Sequence, residues 1–268
     1  RLKKAHENNK QEESTSMKII AVMNQKGGIG KTMTAAAIAY IMGEEKRKES
    51  SWICDADQQG NISLLYDRFD PEGQGMPELL ENHQAAGGAY STTDLIQTTP
   101  YGNIDIIPAN GYLMRTNMTL LQEEGEDQIL RFAAAMNEVR TIYDYCIVDC
   151  GLIMDMTVTN VMIAADLVIV PVKIGGFEIE AAANMDSQLT SFRRINPDIR
   201  MKVLMTMRQK NQTTLQVEEW LKTQSGHDCF CDSDQAINNR REVNSRTSAT
   251  SEVFKKLHRD AGLSCSDI

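Results

Sequence analysis

The stretch from residue 18 to residue 45 is the feature that most limits what this chain can fold into. It consists of the apolar run KIIAVMN (18–24), a glycine-rich turn, and the alanine-rich segment TMTAAAIAYIMGEE (32–45). The first segment is typical of a buried strand, and the last has the composition of a helix. A strand that enters a glycine loop and continues into a helix presents backbone N–H groups and a positive helix end to an anion. The stretch therefore predicts a phosphate-binding site.

The turn itself, NQKGGIGKT (24–32), departs from the usual phosphate-binding pattern at one position. That pattern, G-x-x-x-x-G-K-[ST], is met by the last three residues of the turn, but Gln25 stands where the first glycine is expected. We expect Lys31 to contact the β- and γ-phosphates of a nucleotide and the Thr32 hydroxyl to bind Mg²⁺. One such loop needs one lysine, yet a second, Lys26, precedes the glycine pair. The alternative is a tight turn whose glycines only permit positive φ.

Two later apolar runs, SSWICDAD (50–57) and YCIVDC (145–150), carry carboxylates at or near their ends. The carboxyl ends of neighbouring strands converge on the ligand crevice of a doubly wound sheet. We therefore expect Asp57 to orient the attacking water, Asp55 to support the outer shell of a metal, and Asp149 to hold Mg²⁺ directly or through water. Alternatively, the first two acids belong to a solvated turn and the third caps the next element.

Apolar runs alternate with helical patterns along the rest of the chain. Further strands are predicted at 104–109, 166–172 and 200–207, and helices at 125–140, 177–194 and 213–224. This alternation predicts an α/β fold with a doubly wound, mostly parallel sheet and helices on both faces. The stretch 70–101 is rich in glycine, serine and threonine and predicts a loop-rich excursion.

The first 16 residues are polar throughout and predict a disordered extension or an expression remnant. We expect residues 17–268 to form one domain, with Met17 as the natural start and an atypical pattern over the last 40 or so residues. There is no apolar signal segment, and the longest apolar run is too short to span a bilayer. A cytoplasmic protein is the resulting expectation.

The net charge of −9 argues, taken alone, against a protein that coats DNA. The distribution of the charged residues along the chain weakens this argument against DNA binding. Residues 17–189 contain 11 Lys and Arg against 24 Asp and Glu, whereas residues 190–268 contain 13 against 10. A local basic patch is therefore expected in the C-terminal third, with a surface that merely varies as the alternative.

Three motifs together resemble those of the deviant Walker A ATPases, and within them the ParA/Soj-type partition ATPases. The motifs are NQKGGIGKT, DADQQGN (55–61), and IVDC (147–150) followed by AADLVIVPV (164–172). The resemblance spans roughly residues 17–207 and implies a P-loop NTPase fold, Mg²⁺-dependent ATP hydrolysis and an ATP-dependent homodimer. In that family the early lysine reaches across the dimer to the partner's ATP phosphates, which implies the same role for Lys26. A cation from each side would offset the repulsion between two facing nucleotides.

The resemblance also implies the residues of the site. Lys26 and Asp57 would be catalytic, and the metal would be held by Thr32, Asp55 and Asp149. The nucleotide would contact the glycine loop and two residues at the end of the last predicted strand: Lys26, Gly27, Gly28, Ile29, Gly30, Lys31, Thr32, Met33, Met207 and Arg208.

For the function, the resemblance implies slow ATP hydrolysis and an ATP-bound dimer that binds double-stranded DNA without sequence preference. A ParB-type, centromere-binding partner would stimulate hydrolysis and so release the dimer. Such a protein is cytoplasmic, nucleoid-associated and without a membrane partner. The candidate DNA contacts are basic residues of the C-terminal third: Arg193, Arg194, Arg208, Lys210, Arg240 and Arg241. A solvated surface is the alternative for each of them.

The sequence departs from the family pattern in three places. Gln58 replaces the proline of D-x-D-P-Q-G-N, and Gly151 and Leu152 replace two prolines that follow Asp149. The segment AINNRREVNSRT (236–247) only loosely resembles the family's Ile-Arg-rich segment. Because proline stiffens a backbone, the switch after Asp149 is expected to move more freely. An alternative is therefore a nucleotide-gated interaction protein with little hydrolysis.

Two further alternatives concern other functional classes. A MinD-type, membrane-associated regulator would need a basic amphipathic helix, for which SEVFKKLHRDAGL (251–263) is a weak candidate. An iron–sulfur protein of the nitrogenase type would need a second cysteine ligand some tens of residues upstream of Cys150. No cysteine occurs between Cys54 and Cys146. We expect structural thiols, with metal binding by the C-x-C pair at 229–231 as a weak alternative.

Overall fold

The predicted apolar runs form the strands of one sheet. This computed structural model describes residues 17–45, 50–82, 87–101, 104–123, 127–173, 178–206 and 229–230. Within them the strands are β1 (Lys18–Val22), β2 (Ser51–Ala56), β3 (Gln97–Thr98), β4 (Ile104–Ile107), β5 (Tyr145–Cys150), β6 (Leu167–Lys173), β7 (Arg200–Thr206) and β8 (Cys229–Phe230). The eight strands lie in the order β3-β4-β2-β5-β1-β6-β7-β8. β3 runs antiparallel to β4, and every other neighbouring pair is parallel.

Helices connect the strands and cover the sheet. They are α1 (Lys31–Glu45), α2 (Asn61–Leu65), α3 (Met76–Glu81), α4 (Thr92–Leu95), α5 (Leu113–Gln122), a short 3-10 helix (Asp127–Ile129), α6 (Arg131–Val139), α7 (Met156–Ala164) and α8 (Glu178–Phe192). None of the helices in the described ranges is long and apolar enough to cross a membrane.

Alternate strand residues point to opposite faces of the sheet, and helices bury both faces. One face lies under α1 and α2, and its core includes Ile20 and Ile53 from the strands and Ile38 from α1. The other face lies under α3 to α8, and its core includes Trp52 and Phe132. Strands that are buried on both faces account for the near-continuous apolar runs of the sequence. The predicted doubly wound α/β fold is confirmed.

The strand register brings three predicted site segments to one edge of the sheet. β5 lies between β1 and β2, with Asp149 opposite Val22 on one side and opposite Asp55 on the other. Because these strands are parallel, the glycine loop after β1 and the acidic ends of β2 and β5 are immediate neighbours at the carboxyl edge. This edge is where doubly wound proteins bind ligands.

Several predicted elements differ in detail from the structure. The helix predicted at 125–140 is split into the 3-10 helix and α6, because the side chain of Asn160 donates to the Gln128 carbonyl (2.8 Å) and accepts from the Phe132 amide (3.2 Å). The stretch 70–101 contains α3, α4 and β3, and α5 and α7 were not predicted at all. The predicted helix 213–224 and the polar residues 1–16 lie outside the described residues, so the single domain over 17–268 stays a prediction.

Candidate functional site

The glycine loop is held in place by a buried asparagine. Asn24 Nδ2 donates to the Pro171 carbonyl of β6 (2.8 Å), and its Oδ1 accepts from the Lys26 amide (3.1 Å). Gly28 and Gly30 have φ of 72° and 91°, a left-handed conformation that favours glycine. The loop therefore curls at the start of α1 with its backbone fixed against the sheet, as an anion-binding turn requires.

The two lysines of this loop lie in different environments. Lys31 is buried (8% exposed), and its Nζ donates to the Lys26 carbonyl (3.3 Å), so the ammonium group lies inside the curl of the loop. Burial lowers the pKa of Lys31, while the nearby carboxylates of Asp149 and Asp57 raise it in part. Lys26, by contrast, lies in an exposed run from Gln25 to Gly28. The ammonium group of Lys31 therefore lies inside the loop, whereas Lys26 lies at the surface of the loop.

Asp149 is a buried carboxylate with the Thr32 side chain as a nearby donor but no hydrogen bond of good geometry. The residue is fully buried, and neither carboxylate oxygen has a partner in hydrogen-bonding geometry. Burial raises its pKa well above the ordinary value, and Asp55 raises it further, whereas the side chains of Thr32 and Lys31 lower it. An unpaired buried carboxylate is unfavourable unless a cation arrives to compensate it. This is the position that a metal ligand would occupy.

The surroundings of Asp149 fit a Mg²⁺ ion that shares its ligands with a nucleotide better than a metal ion held by protein ligands alone. No group of three or more His, Cys, Asp and Glu side chains in the described ranges could hold a metal ion. Mg²⁺ is typically bound by one or two protein oxygens together with substrate phosphates and water. Asp149, with Thr32 close enough to lower its pKa, suits a Mg²⁺ ion that enters with a nucleotide.

Asp55 organises the turn that follows β2. Its Oδ1 accepts from the Asp57 amide (3.1 Å), and its Oδ2 accepts from both the amide (3.0 Å) and the hydroxyl of Ser63. The Ser63 hydroxyl in turn accepts from the Ala109 amide (2.9 Å). Asp55 thereby connects β2, α2 and the end of β4, and both of its oxygens are already engaged. The geometry favours a positioning role near the metal over direct coordination.

The buried carboxyl of Asp55 predicts a pH-dependent stability. Burial raises its pKa from 3.8 to about 7, so the folded protein holds one more proton than the unfolded chain between those values. The free energy of unfolding should therefore fall by about 1.4 kcal/mol per pH unit as the pH rises towards 7, and this contribution should level off above it. Urea unfolding from pH 5 to pH 8 should show that slope reduced in Asp55→Asn. An unchanged slope in the variant would contradict the assignment.

Asp57 lies at the mouth of the site, half-buried, on a tight turn. Its Oδ1 accepts from the Gln59 amide (3.0 Å), and its carbonyl accepts from the Gly60 amide (2.9 Å). Gly151 is buried beside it: a Cβ on that glycine would lie 3.5 Å from the Asp57 Oδ1 atom. The glycine that replaces a family proline therefore borders the acid predicted to orient the attacking water.

The segment after β5 leads from the buried acid past the glycine loop to α7. Leu152 (44% exposed) lies near the loop, since a Cβ on Gly27 would be 3.9 Å from its Cδ1 atom. Asp155 ends the segment and caps α7 by accepting from the Val158 amide (2.9 Å). It also accepts from the side chain of Asn117 on α5 (3.0 Å). Asn117 was missed by the sequence analysis, because nothing in its neighbourhood distinguishes it from a surface asparagine.

The candidate DNA contacts are only partly described. Arg193 donates to Asp186 Oδ1 (3.0 Å), which engages its guanidinium group, whereas Arg194 is exposed at the end of α8. The remaining candidates lie outside the described residues, together with the predicted nucleotide contact Met207 and the segments 236–247 and 251–263. The positions outside the described ranges are Arg208, Lys210, Arg240 and Arg241.

The described cysteines have the character of core residues. Cys54, Cys146 and Cys150 are buried free thiols, and the Sγ atoms of the first two are 3.8 Å apart. Burial raises the pKa of the Cys150 thiol well above its ordinary range, so it remains protonated at neutral pH. Thiols in this state pack as small apolar groups and are poor metal ligands.

Comparison with known proteins agrees with the geometry. Residues 17–201 match the AAA_31 family, described as an AAA domain. The chain is 30% identical over 198 residues to the sporulation initiation inhibitor protein Soj of Bacillus subtilis, covering 71% of this chain and 72% of that protein. It is 26% identical over 201 residues to the chromosome partitioning protein ParA of Myxococcus xanthus, covering 72% and 66%.

Solved structures share the fold. A plasmid partition protein from Borrelia burgdorferi superposes with a TM-score of 0.72 at 19% identity, covering 91% of this chain and 99% of that one. Cobyrinic acid a,c-diamide synthase from Mycobacterium smegmatis, solved with ADP and magnesium, gives a TM-score of 0.75 at 20% identity, covering 92% and 96%. At these identities the likeness shows the fold alone.

Proposed function

Since the chain belongs to the ParA/Soj-type P-loop ATPases, we propose that it is an ATP-dependent DNA partition protein. Its ATP-bound homodimer binds double-stranded DNA without sequence preference, and hydrolysis stimulated by a ParB-type partner releases it. The protein acts in the cytoplasm, on the nucleoid. Relatives that carry the names Soj and ParA support this assignment.

The observation that carries the proposal is the separation of the two lysines. Lys31 is buried inside the loop, where its ammonium group would face the phosphates of the loop's own nucleotide. Lys26 is exposed on the outer side of the same loop. A second copy that faces this edge could place its own Lys26 against the γ-phosphate. ATP would then hold two chains together, and its hydrolysis would remove the charge that both lysines neutralise.

The remaining residues have distinct parts in hydrolysis. Mg²⁺, when bound, neutralises charge on the phosphate oxygens, and Asp149 and Thr32 would hold it. Asp57, at the mouth of the site, would orient the attacking water and accept its proton. Asp55 would fix the turn that carries Asp57, through the hydrogen bond to its amide. Phosphoryl transfer depends chiefly on such positioning and on charge neutralisation.

DNA binding would rest on basic residues brought together by the dimer. Arg194 is exposed and is doubled in a symmetric pair, and the C-terminal third supplies further lysines and arginines. Contacts from several such residues to phosphates release counterions, so affinity should fall steeply with salt. This arrangement explains how a chain with a net charge of −9 would bind DNA only as a dimer.

Asp57→Ala tests the hydrolytic part of the proposal. Removal of the group that orients the water should lower ATP turnover by about 100-fold or more while Mg·ATP binding remains. Turnover is measured as phosphate release, and nucleotide affinity by fluorescence titration, with Asp67→Ala as a control at an exposed acid outside the site.

The second candidate function, a nucleotide-gated interaction protein with little hydrolysis, is favoured by the glycine that borders Asp57. Under that function the wild-type protein and Asp57→Ala would release phosphate at the same rate, even with DNA present. Equal rates would therefore contradict the proposed hydrolytic cycle and support the second candidate.

A further inference from the structure

Thr206 is the last residue of β7, and its side chain contacts the glycine loop. The Thr206 hydroxyl donates to the Ile29 carbonyl (2.7 Å), which joins two residues 177 positions apart in the chain. Both partners are buried, with Thr206 1% and Ile29 2% exposed. A threonine hydroxyl is thus held against the phosphate-binding loop, although Thr206 is not among the residues assigned to binding or hydrolysis.

The contact between Thr206 and Ile29 reaches across two strands. The loop follows β1, and β6 lies between β1 and β7. The start of the loop is attached to β6 by the bond from Asn24 to the Pro171 carbonyl (2.8 Å). Neighbouring strands lie about 4.8 Å apart, so the loop crosses roughly 10 Å of the carboxyl edge before it meets Thr206. Asn24 therefore fixes the start of the loop, and Thr206 fixes its far side.

The bond from Thr206 fixes one particular peptide group, the one between Ile29 and Gly30. This peptide group is trans and planar, so its carbonyl and its N–H point in opposite directions. Because the Ile29 carbonyl is held at Thr206, the Gly30 N–H points away from β7. No described residue accepts a hydrogen bond from that N–H. The Gly30 N–H is therefore a donor available to a phosphate oxygen.

Other contacts of the loop do not fix the orientation of this peptide group. The Gly30 carbonyl accepts from the Thr34 amide (2.8 Å), which attaches the peptide group after Gly30 to the first turn of α1. The buried side chain of Ile29 restrains its own Cα atom more than the peptide group that follows. Gly30 has a φ of 91°, and glycine adopts positive and negative φ with similar ease. Within the described ranges, the Ile29–Gly30 peptide group is held in this orientation by the Thr206 hydroxyl.

We propose that Thr206 is a positioning residue for nucleotide binding, whose hydroxyl orients the Ile29–Gly30 peptide group so that the Gly30 N–H faces the phosphates. Thr206 also directly precedes Met207 and Arg208, which are predicted to contact the same nucleotide. The bond thus connects the phosphate-binding loop to the strand end at which that segment begins. This inference rests on the proposed function, because it concerns how the same site binds ATP.

Thr206→Val removes the hydroxyl and keeps the β-branched shape of the side chain. The Ile29 carbonyl is then buried without a donor, and rotation of its peptide group towards another partner takes the Gly30 N–H away from the phosphates. Affinity for Mg·ATP should fall by about 10-fold, as expected for the loss of one hydrogen bond to a charged group. A bond from Gly30 that is made equally before and during hydrolysis contributes to binding alone. Phosphate release at saturating ATP should therefore stay within about two-fold of the wild-type rate.

The test uses the full chain, with fluorescence titration for the Kd of Mg·ATP and phosphate release at saturating ATP for turnover. Thr206→Ser keeps the donor and should bind Mg·ATP within about three-fold of the wild-type affinity. Thr116→Val is the matched control and should bind as the wild-type protein does. Thr116 is also buried, but its hydroxyl has no hydrogen-bond partner in the described part of the chain. If circular dichroism shows that Thr206→Val does not fold, Thr206→Ala compared with Thr206→Ser measures the same effect.

Wild-type affinity in Thr206→Val, or an equal loss of affinity in Thr206→Ser, would overturn the inference. A purely structural role would lower the urea midpoint of Thr206→Val and its active fraction, while the folded molecules kept the wild-type Kd. That result would also overturn it. Failure of the wild-type chain to bind Mg·ATP would contradict the proposed function together with this inference. Wild-type binding of Mg·ATP with an unaffected Thr206→Val would contradict this inference alone.

Discussion

Lys26→Ala is expected to bind Mg·ATP like the wild-type protein and yet to remain monomeric. Lys26 is exposed on the outer side of the glycine loop, so its removal leaves Lys31 and the loop backbone to hold the nucleotide. The lost contact lies across the dimer, where removal of one member of a desolvated charge pair costs roughly 2–5 kcal/mol. Dimer affinity should therefore fall by about 30-fold or more. Sedimentation velocity with a non-hydrolysable ATP analogue measures it.

A matched lysine separates this effect from a general loss of charge. Lys18 lies on β1 at the opposite end of the strand, where it pairs with Asp166 (3.0 Å). Lys18→Ala should dimerise with the analogue as the wild-type protein does. Wild-type dimer affinity in Lys26→Ala, or a failure of that variant to bind nucleotide, would contradict the proposed roles, in which Lys31 binds the nucleotide and Lys26 stabilises the dimer.

Lys31→Met should show the opposite behaviour, with nucleotide affinity reduced by about 100-fold or more. The ammonium group of Lys31 is buried within the loop, and a contact from it to phosphate would be a charge-assisted interaction in a largely dry site. Methionine keeps the length and apolar volume of the side chain but carries no charge. Isothermal titration with Mg·ATP gives the affinity directly.

The stability of Lys31→Met without nucleotide can also be predicted. Burial lowers the pKa of Lys31, which means that its charge is unfavourable while no phosphate is present. Lys31→Met should therefore unfold at a denaturant concentration equal to or above that of the wild-type protein. A clear loss of stability in the empty variant would mean that Lys31 holds the fold together and is not reserved for the ligand.

The sheet, and the meeting of the glycine loop and the acids at one edge of it, were predictable because their signals are local. Buried parallel strands require continuous apolar runs, and such runs mark β1, β2, β5, β6 and β7 within one or two residues of their observed ends. The register that pairs Asp55 with Asp149 follows once those strands are neighbours. The position of the acids was therefore accessible from residue order and the rule that strand ends converge.

The helices on the outer layer were harder to predict. Helix α5 is short, and its apolar residues form one broad side that is buried in part and exposed in part. Helix α7 is almost wholly buried and merges with the apolar run of β6, which hides its boundary. Length and periodicity cannot separate a buried helix from a buried strand in such a stretch.

The environments of the two lysines and of Asp149 also required the structure. The sequence shows two lysines five residues apart, but burial of one and exposure of the other depend on the curl of the loop at Gly28 and Gly30. The burial of Asp149, with no hydrogen bond of good geometry to either oxygen, depends on how the fold packs around it. The burial and hydrogen bonding of a side chain depend on tertiary packing and cannot be predicted from the local sequence.

The most direct test of the account is binding to random-sequence duplex DNA with Mg·ATP, with Mg·ADP and without nucleotide, each over a salt series. The account predicts binding with ATP alone, a steep loss of affinity with salt, loss of binding in Lys26→Ala and its retention in Asp57→Ala. Absence of binding in every nucleotide state, or equal binding in all of them, would contradict the claim that ATP makes this chain a DNA-binding dimer.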